Sequence, residues 1–365
     1  MANTIENAVM YVNNQQEVMR MFNTFLLCAD LIKRLESHEG NEVKYDELSF
    51  SDYTMGNFDS SNGLGKKNFT FKRKTRELTQ DRGDSLDLDI KNQNEAQIAG
   101  GIARVYNFYQ IKVAIPTMDK YAFGKLAGVG NGAIAVAHGT LSKSNIVDNL
   151  FADFAKLRNN RVKTEECLLY IGATYNGYLD AAAFGRGVLT VGVWKGNGNW
   201  DGDLQTTCTM VKGAKIVEVP DEYLNGAAYV IVHPLAFDVI PVLDIVEFHR
   251  RIPGKPGISQ VDVREYFDAW TQPNGEQGIL VGLEKPRKPS LPADASFDTS
   301  LVVKIGNIET GAKVYYTVDG SAPTSSSTEY NAESGITLSA TTTVKAIQYL
   351  DNQASEVVSG TYTKN

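Results

Sequence analysis

The sequence predicts an α+β protein that carries a separate β-sandwich at its C-terminus. Three observations support this fold class. Residues 75–126 have the pattern of a strand that leads into a long helix, and residues 128–232 mix short helical and extended patterns. Residues 285–292 contain three prolines, after which Ser and Thr dominate. With 365 residues, 42% of them hydrophobic, the chain can form a large core and two or three domains.

The composition excludes several classes of protein. A formal net charge of −7 argues against a dedicated nucleic-acid-binding protein, because such proteins neutralise phosphates with excess Lys and Arg. No apolar run is long enough to span a membrane, and the N-terminus lacks the pattern of a secretion signal. Cys28, Cys167 and Cys208 have neither metal-site nor disulfide spacing, which indicates reduced thiols in a cytoplasm.

The N-terminal region contains a predicted amphipathic helix over residues 15–36, because its apolar residues recur at helical spacing. These residues are Val18, Phe22, Phe25, Ala29, Ile32 and Leu35. A strand follows over residues 43–53. Its apolar alternation changes phase between Tyr45 and Leu48, which predicts a β-bulge at Asp46 and Glu47.

A turn-rich tip at residues 56–65 and a return strand from Phe69 to Leu78 complete a long hairpin that has little core of its own. The return side is strongly basic, with no acidic residue between positions 66 and 76. Its cations are Lys66, Lys67, Lys72, Arg73, Lys74 and Arg76. A solvated face, a nucleic-acid patch and a contact with an acidic neighbour are all compatible with this pattern.

The next strand and helix form the centre of the predicted fold. Leu86, Leu88 and Ile90 alternate with aspartates, so a strand should end near Ile90. A helix of about six turns should follow, with a cap at Asn92 or Asn94 and an end at Pro116. Its apolar positions are Ile98, Ile102, Val105 and Tyr109.

The middle of the chain shows no nucleotide-binding or catalytic pattern. The glycines of residues 124–139 satisfy neither a Walker loop nor a GxGxxG motif. A helix is predicted over residues 145–157, and strands are predicted at Cys167–Ile171, Val188–Trp194, Lys215–Val219 and Ala227–Val232. The four histidines are far apart in sequence and match no metal-ligand motif, so each should be a core or surface residue.

The C-terminal region has short alternating runs separated by turns, which is typical of a small β-sandwich. The runs are Leu301–Ile305, Lys313–Val318, Thr337–Leu338, Thr343–Tyr349 and Glu356–Tyr362. Acidic residues outnumber lysines in this region. It is therefore an acidic appendage on an extended, semi-rigid, proline-containing linker.

Two runs of sequence identify a resemblance for the first 284 residues. "LTQDRGDSLDLDI", followed by a helix that ends in "AIPTMDKYAFGKLA", resembles the major capsid proteins of tailed bacteriophages, which have the Hong Kong 97-type fold. Asp84, Leu86 and Met118 depart from the usual pattern. The matching residues are Leu78, Thr79, Asp81, Arg82, Gly83, Asp89, Pro116, Asp119, Tyr121, Lys125, Leu126 and Ala127, and further along the chain His233, Pro234, Ala236, Arg264, Tyr266, Phe267 and Asp268.

The C-terminal region has its own resemblance. "VYYTVDGSAPTSSSTEY" and "SATTTVKAI" are similar to the immunoglobulin-like modules at the C-termini of chitobiases and many bacterial surface proteins. A fold that serves many functions does not assign a ligand.

The capsid resemblance implies a division of the chain into named parts. These are an N-arm (1–42), an E-loop hairpin (43–90), a P domain with the spine helix (91–127 and 233–284), an A domain (128–232), the linker (285–292) and an immunoglobulin-like domain (293–365). In the family the N-arm packs along a neighbouring subunit and the E-loop crosses the P domain of another. The basic hairpin would then meet acidic partners, for which Asp84, Asp87, Asp89 and Glu95 are candidates.

The resemblance also implies a function. The chain would be a structural, non-enzymatic capsid subunit that forms hexamers and pentamers of an icosahedral shell around double-stranded DNA, with the C-terminal domain outside. Its partners would be copies of itself, a separate scaffolding protein, a portal, non-specifically packaged DNA, and a glycan or host surface for the C-terminal domain. Assembly would take place in the bacterial cytoplasm, and the protein would reside in the virion. No catalytic residue, cofactor or metal is expected.

Three alternatives stay open from sequence. An encapsulin-like compartment has the same fold but encloses an enzyme. A carbohydrate-binding or adhesion protein would act through the C-terminal module. An enzyme ranks last, because no convergent catalytic set is present.

Overall fold

A computed structural model of the chain describes residues 26–32, 38–39, 42–50, 69–89, 105–185, 193–194, 200–201, 209–249, 258–273 and 275–365. The chain divides into two compact units. Unit 1 comprises Met1–Pro116 and Val239–Asp268, and unit 2 comprises Thr117–Asp238 and Ala269–Asn365.

The described residues contain both helices and strands. Helical residues 105–109 and a π-helical turn at Gln110–Ala114 lead into α1 (Ile115–Leu126), which is followed by α2 (Ile146–Asn159) and α3 (Ala173–Gly185). Short 3-10 turns lie at Ala29–Leu31, Thr164–Glu166, Asp221–Leu224 and Glu276–Gly278. The strands are β1 (His38–Glu39), β2 (Glu42–Phe50), β3 (Phe69–Glu77), β4 (Gln80–Asp89), β5 (Ile134–Ala137), β6 (Leu168–Gly172), β7 (Val193–Trp194), β8 (Trp200–Asp201), β9 (Met210–Val211), β10 (Ala214–Val219), β11 (Tyr229–Val232), β12 (Phe237–His249), β13 (Ile258–Thr271), β14 (Ile279–Leu283), β15 (Ala295–Phe297), β16 (Leu301–Val303), β17 (Lys313–Thr317), β18 (Thr328–Glu329), β19 (Ile336–Leu338), β20 (Thr342–Leu350), β21 (Gln353–Ala354) and β22 (Val358–Lys364).

Unit 1 contains two three-stranded sheets. Their strand orders are β1-β2-β3 and β12-β13-β4. β2 pairs antiparallel with β3, from Glu42 opposite Glu77 to Phe50 opposite Phe69. β13 pairs antiparallel with β4. Because Leu78 and Thr79 are all that separates β3 from β4, one extended run of residues 69–89 belongs to both sheets.

The predicted bulge at Asp46 and Glu47 is wrong. Every residue of β2 has a single partner on β3 in an unbroken register. Tyr45 and Leu48 therefore lie on opposite faces of the hairpin. The change of phase in the sequence reflects two differently polar faces rather than an inserted residue.

The predicted N-terminal helix does not extend through residues 26–32. Ala29–Leu31 forms one 3-10 turn, after which Ile32 is extended and pairs with Val239 of β12. A residue in an α-helix could not make this sheet contact. The buried side chains are Leu26, Cys28 and Leu31, not the predicted Ala29 and Ile32. The rest of the predicted helix lies outside the described residues.

The periodicity of the sequence predicts that the long helix ends at Pro116. In the structure the helix continues to Leu126. Proline lacks an N–H and its ring crowds the preceding turn, which ordinarily breaks a helix. Here the π turn at Gln110–Ala114 ends two residues before the proline. Such a turn changes the hydrogen-bond spacing, so the helix can accommodate Pro116. The predicted caps, Asn92 and Asn94, lie outside the described residues.

Unit 2 is built on a mixed sheet with the strand order β5-β14-β11-β6-β10-β9. β10 and β6 are parallel, as are β14 and β5, and the remaining neighbours are antiparallel. Strands β6, β11 and β14 are buried along their whole length. Their core includes Val136, Leu141, Ile146, Val147, Leu150, Phe154, Leu157, Leu169, Ile171, Leu179, Ala228, Ile231 and Leu280.

The predicted helix at residues 145–157 and the strands at 167–171, 215–219 and 227–232 are confirmed within one or two residues at nearly every end. Of the predicted strand Val188–Trp194, the described part is β7. The sequence analysis missed α3 and β5. β5 follows Gly130 and Gly132, which adopt positive φ, so the glycine-rich run is a turn between helix and strand.

The C-terminal region forms the predicted β-sandwich, and unit 2 includes it. One sheet has the order β15-β22-β20-β17-β18, and β16 pairs with β19. The two layers enclose Phe297, Val303, Ile305, Val314, Ile336, Leu338, Val344, Ala346 and Tyr362. All five predicted runs are strands.

No helix within the part of the chain that the structure describes is long and apolar enough to cross a membrane.

Replacing Phe154 with alanine should destabilise the chain by about 3–5 kcal/mol, because the ring is fully buried and its removal leaves a cavity. Phe151 provides the matched control three residues earlier in α2. It is 38% exposed and lies under the ammonium of Lys212, so Phe151→Ala should cost only about 1 kcal/mol. Urea unfolding measures both losses, and equal losses would contradict the assigned buried face of α2.

Candidate functional site: a basic hairpin and an acidic sheet

The hairpin of β2 and β3 separates its charges between its two faces. Lys72, Lys74 and Arg76 alternate along β3 and therefore share one face. In the register, the positions opposite them are Glu47, Tyr45 and Val43. Three cations thus meet one acid on this face, which we call the basic face.

The other face of the hairpin has the opposite balance. Arg73 lies opposite Asp46, and Glu77 lies opposite Glu42. With Lys44, this face carries two cations and three acids. The six-residue basic set predicted from sequence is therefore divided by the fold, with Arg73 away from the basic face. Lys66 and Lys67 lie outside the described residues.

The second surface is the β4–β13 sheet, where the register determines which side chains share a face. Ser85 is opposite Asp262, and Asp87 is opposite Gln260. Asp81 and Arg264 lie on this same face by alternation. We call these residues the acidic face. Four of them, Asp81, Ser85, Asp262 and Arg264, line an open cleft of about 420 Å³ together with Gly83, Asp84 and Val263.

Two hydrogen-bond groups fix the carboxylates of the acidic face. The Arg264 guanidinium donates to both oxygens of Asp81, at 2.8 and 2.7 Å, which holds the pKa of Asp81 below its usual value. The Ser85 hydroxyl donates to Asp262 at 2.6 Å and, as the main cause, lowers the pKa of Asp262. His249 Nε2 lies 3.0 Å from the same carboxylate. Both aspartates therefore remain ionised well into the acidic range.

The opposite face of β4 and β13 contacts helical residues 105–114. The Tyr109 hydroxyl donates to Asp84 at 2.7 Å, and burial together with this contact raises the pKa of the phenol. Gln110, the first residue of the π turn, is buried and donates to the buried Glu265 of β13. Burial raises the pKa of Glu265, although the Gln110 hydrogen bond opposes the shift. The π turn is thus attached to the sheet by a buried amide–carboxylate contact.

The predicted acidic residues are therefore not equivalent. Asp87 lies on the acidic face, whereas Asp84 faces the helix and hydrogen-bonds Tyr109. Asp89 is in register with Ile258 at the end of β4. Glu95 lies outside the described residues. A role for all four in contacts between subunits stays a prediction.

Sequence analysis missed Asp81, Asp262 and Arg264 as members of the acidic face. Asp81 and Arg264 belong to the motifs that carry the capsid resemblance, but their separation of 183 residues hides their pairing. The alternation in "VDVREY" marks Asp262 and Arg264 as neighbours on one face. The strand that pairs with them could have been found only from the fold.

His138 has structural contacts. His138 Nε2 lies 2.9 Å from Asp153, to which the Tyr229 hydroxyl also donates at 2.8 Å. Asp153 and Tyr229 are fully buried, and burial first and Asp153 second raise the pKa of Tyr229. This cluster joins α2 to the mixed sheet. Across the described residues, no group of His, Cys, Asp and Glu is arranged to bind a metal ion.

Replacing Gly83 with alanine should destabilise the chain by about 1–3 kcal/mol, because the added Cβ would lie 2.6 Å from the Val263 carbonyl oxygen and force the strands apart. Gly124, inside α1, is the matched control. An added Cβ there meets no atom within 4 Å, and Gly124→Ala should stabilise the helix by roughly 0.5–1 kcal/mol. Urea unfolding measures both changes. A neutral Gly83→Ala would show that β4 and β13 are not so closely paired.

Glu265 should make stability depend on pH. Because its folded pKa is raised, the folded chain holds this proton more tightly than the unfolded chain. The stability that comes from the protonated carboxyl is therefore fully present below the ordinary glutamate pKa. This stability is lost as the pH rises through the folded pKa of Glu265. Glu265→Gln, whose amide oxygen can still accept from Gln110, should remove this loss and be more stable than wild type at neutral pH.

Urea unfolding between about pH 4 and pH 8 measures the effect. The free energy of unfolding of Glu265→Gln should exceed that of wild type by an amount that grows with pH. Glu77→Gln, at an exposed position of β3, is the control and should show no such trend. An advantage that is constant with pH would contradict the assigned burial of the charge.

Comparisons with known proteins give three results. Residues 303–362 match the model of the Fn3-associated family, which confirms the immunoglobulin-like resemblance of the C-terminal module. No curated protein matches the chain. Solved structures of phage capsids and of a virus-like particle are similar to the chain at low identity.

Three of these solved structures illustrate the match. The capsid of cyanophage P-SCSP1u is 9% identical, with 70% of this chain and 86% of that chain covered and a TM-score of 0.46. The capsid of Myoviridae phage XM1 is 13% identical, with 72% and 92% covered and a TM-score of 0.44. The virus-like particle from Pyrococcus furiosus is 11% identical, with 72% and 95% covered and a TM-score of 0.45. Since each TM-score lies below 0.5, these likenesses do not by themselves assign a function.

Proposed function

We propose that the chain is a capsid subunit of a tailed phage, with a structural role and no catalytic one. The observation that carries the proposal is the presence of two charge-complementary surfaces in one chain. The basic face of the hairpin presents Lys72, Lys74 and Arg76, and the acidic face of the sheet presents Asp81, Asp87 and Asp262. The first capsid-like motif, LTQDRGDSLDLDI, falls on the strand that joins these surfaces.

Two different complementary surfaces favour a particular type of assembly. When the donor and acceptor patches differ, each copy can bind the next head to tail, and such contacts close into rings or extended shells. A hairpin has little core of its own and is marginal in isolation, so it gains from a neighbouring surface. Of the described β3 side chains, residues 72–77, none is buried. Solvent therefore reaches the basic face, and the acidic face of another copy is the partner we propose for it.

The finer features of the proposal follow from the capsid resemblance. The subunit forms hexamers and pentamers of an icosahedral shell around double-stranded DNA, assembles in the host cytoplasm and resides in the virion. A separate scaffolding protein and a portal take part in assembly. The acidic C-terminal module lies outside the shell, away from the DNA, where it meets a glycan or a host surface. Electron density for the module inside the shell would refute its outward placement.

Reversing the basic face should block assembly without unfolding the subunit. Exposed charge pairs contribute about 0.2–1 kcal/mol each, so the triple variant Lys72→Glu, Lys74→Glu and Arg76→Glu should weaken each contact by roughly three- to a hundredfold. Sedimentation and electron microscopy measure shell formation, and circular dichroism measures folding. Normal particles from the triple variant would refute this contact.

The hairpin offers a control with the same change of charge. Lys74 and Arg73 are adjacent and exposed but lie on opposite faces. Lys74→Glu should reduce assembly more strongly than Arg73→Glu, and Asp87→Lys should partly restore the Lys74→Glu variant. Equal effects of the two single variants would indicate a response to net charge alone. Particles filled with a protein cargo instead of DNA would identify an encapsulin-like compartment, and a glycan-binding monomer would identify an adhesion protein.

A further inference from the structure

The segment that joins the mixed sheet of unit 2 to the C-terminal module is packed rather than free. Its composition, with Pro286, Pro289 and Pro292, predicts an extended linker. In the structure, Pro286 and Pro289 are buried. The Arg287 side chain between them is only 10% exposed. A tether would leave these residues in solvent.

The Arg287 guanidinium connects three separate parts of unit 2. Nε donates to the Asn225 carbonyl at 2.6 Å, and Nη2 donates to the Ala127 carbonyl at 2.6 Å. Nη1 donates to the Glu309 carboxylate of the module at 2.9 Å. Ala127 directly follows α1, and Asn225 lies in the turn before β11. The guanidinium donates from three separate nitrogens in a rigid fork, whereas a lysine would have to reach all three acceptors from a single nitrogen.

The module in turn holds the partners of Arg287 in place. Gln348 of β20 is fully buried, and its Oε1 accepts from the Glu309 backbone N–H at 3.0 Å. Gln348 Nε2 donates to the Arg287 carbonyl and, at 3.1 Å, to the Asn307 carbonyl. The Glu309 side chain is 3% exposed. Arg287 and Glu309 are thus a buried ion pair with further hydrogen bonds around it, which is the condition for such a pair to be stable.

Other linker carbonyls are also bound by module side chains. The Lys288 carbonyl accepts from Asn307 Nδ2 at 2.5 Å, and the Pro292 carbonyl accepts from the Tyr362 hydroxyl at 2.9 Å. The backbones of Ser290 and Gly306 exchange two hydrogen bonds. The segment is therefore attached to the module along most of its length.

A second contact attaches the module to the mixed sheet. Asp351 lies in the tight turn between β20 and β21, where it and Asn352 have positive φ. Its carboxylate accepts from the backbone N–H of Ala137, the last residue of β5, at 3.1 Å. Two contacts at different points of the module restrict its rotation more than one contact does.

We propose that Arg287 is a positioning residue that holds the C-terminal module against the mixed sheet in one orientation. The module is then a fixed part of the subunit, and its outer surface points in a constant direction. In a shell of many copies, every module would present the same face at a regular spacing, which favours a multivalent partner. The fixed orientation is a property of the single chain and does not depend on shell formation.

Limited proteolysis of the purified, unassembled full-length chain tests the proposal. Arg287→Ala should be cut within residues 284–292 at least tenfold faster than wild type. The reason is that the segment detaches from its packed position more often when the buried contact is lost. Lys288→Ala is the matched control, since Lys288 is adjacent and exposed. It should be cut at the wild-type rate. Wild type cut as fast as Arg287→Ala would refute the proposal.

Scanning calorimetry separates loss of positioning from general unfolding. Wild type should show coupled unfolding of the module and the mixed sheet, whereas Arg287→Ala should show two separate transitions. If Arg287→Ala does not fold, Glu309→Gln replaces it in the proteolysis experiment. This variant keeps the guanidinium and its two carbonyl partners, so it should be cut at a rate between those of wild type and a variant without the guanidinium. Two transitions already in wild type, or a Glu309→Gln rate equal to wild type, would overturn the role of Arg287. Because both measurements use unassembled chains, a failure of the capsid proposal would not affect them.

Discussion

Residues 69–89 form one extended segment that pairs first in one sheet and then in another, without a reversal of the chain. β3 pairs with β2, and β4 pairs with β13. Between them, Leu78 is buried and the Thr79 N–H donates to the Asp268 carboxylate at 3.1 Å. Because strand pairing decides which side chains share a face, this one segment determines both the basic face of the hairpin and the acidic face of the sheet.

The separation of charge follows from the two-residue period of a strand. A consecutive basic run places half of its cations on each face, and the opposite strand decides how far each half is neutralised. In β2, Glu42, Asp46 and Lys44 fall on the face of Arg73, whereas Glu47 is the one charged residue of β2 on the basic face. A register shift of one residue would exchange these sets. The unbroken pairing of the hairpin is therefore a condition for the proposed electrostatic contact.

Local periodicity was sufficient to predict most strands and α2, because each has a buried face that its own sequence displays. It failed where another segment decides the conformation. Ile32 is extended because it pairs with Val239, and the helix passes Pro116 because a π turn precedes it. α3 was missed because its sequence, rich in alanine and glycine, has little amphipathic pattern. Likewise, the basic strand was readable from sequence, but the acidic face required the pairing of β4 with a strand about 180 residues away.

The linker is another segment whose structure its own sequence does not predict. Proline-rich segments lack N–H donors and cannot join a sheet through a regular ladder, so composition alone suggests a solvated tether. Their carbonyl groups nevertheless remain strong acceptors. Here side-chain donors bind them: Gln348 at Arg287, Asn307 at Lys288 and Tyr362 at Pro292. The carbonyl acceptors of the linker are thus satisfied by donors from the module, and the guanidinium of Arg287 satisfies carbonyls at the end of α1 and before β11. A segment of this composition becomes rigid when the surrounding structure provides donors for its carbonyl groups.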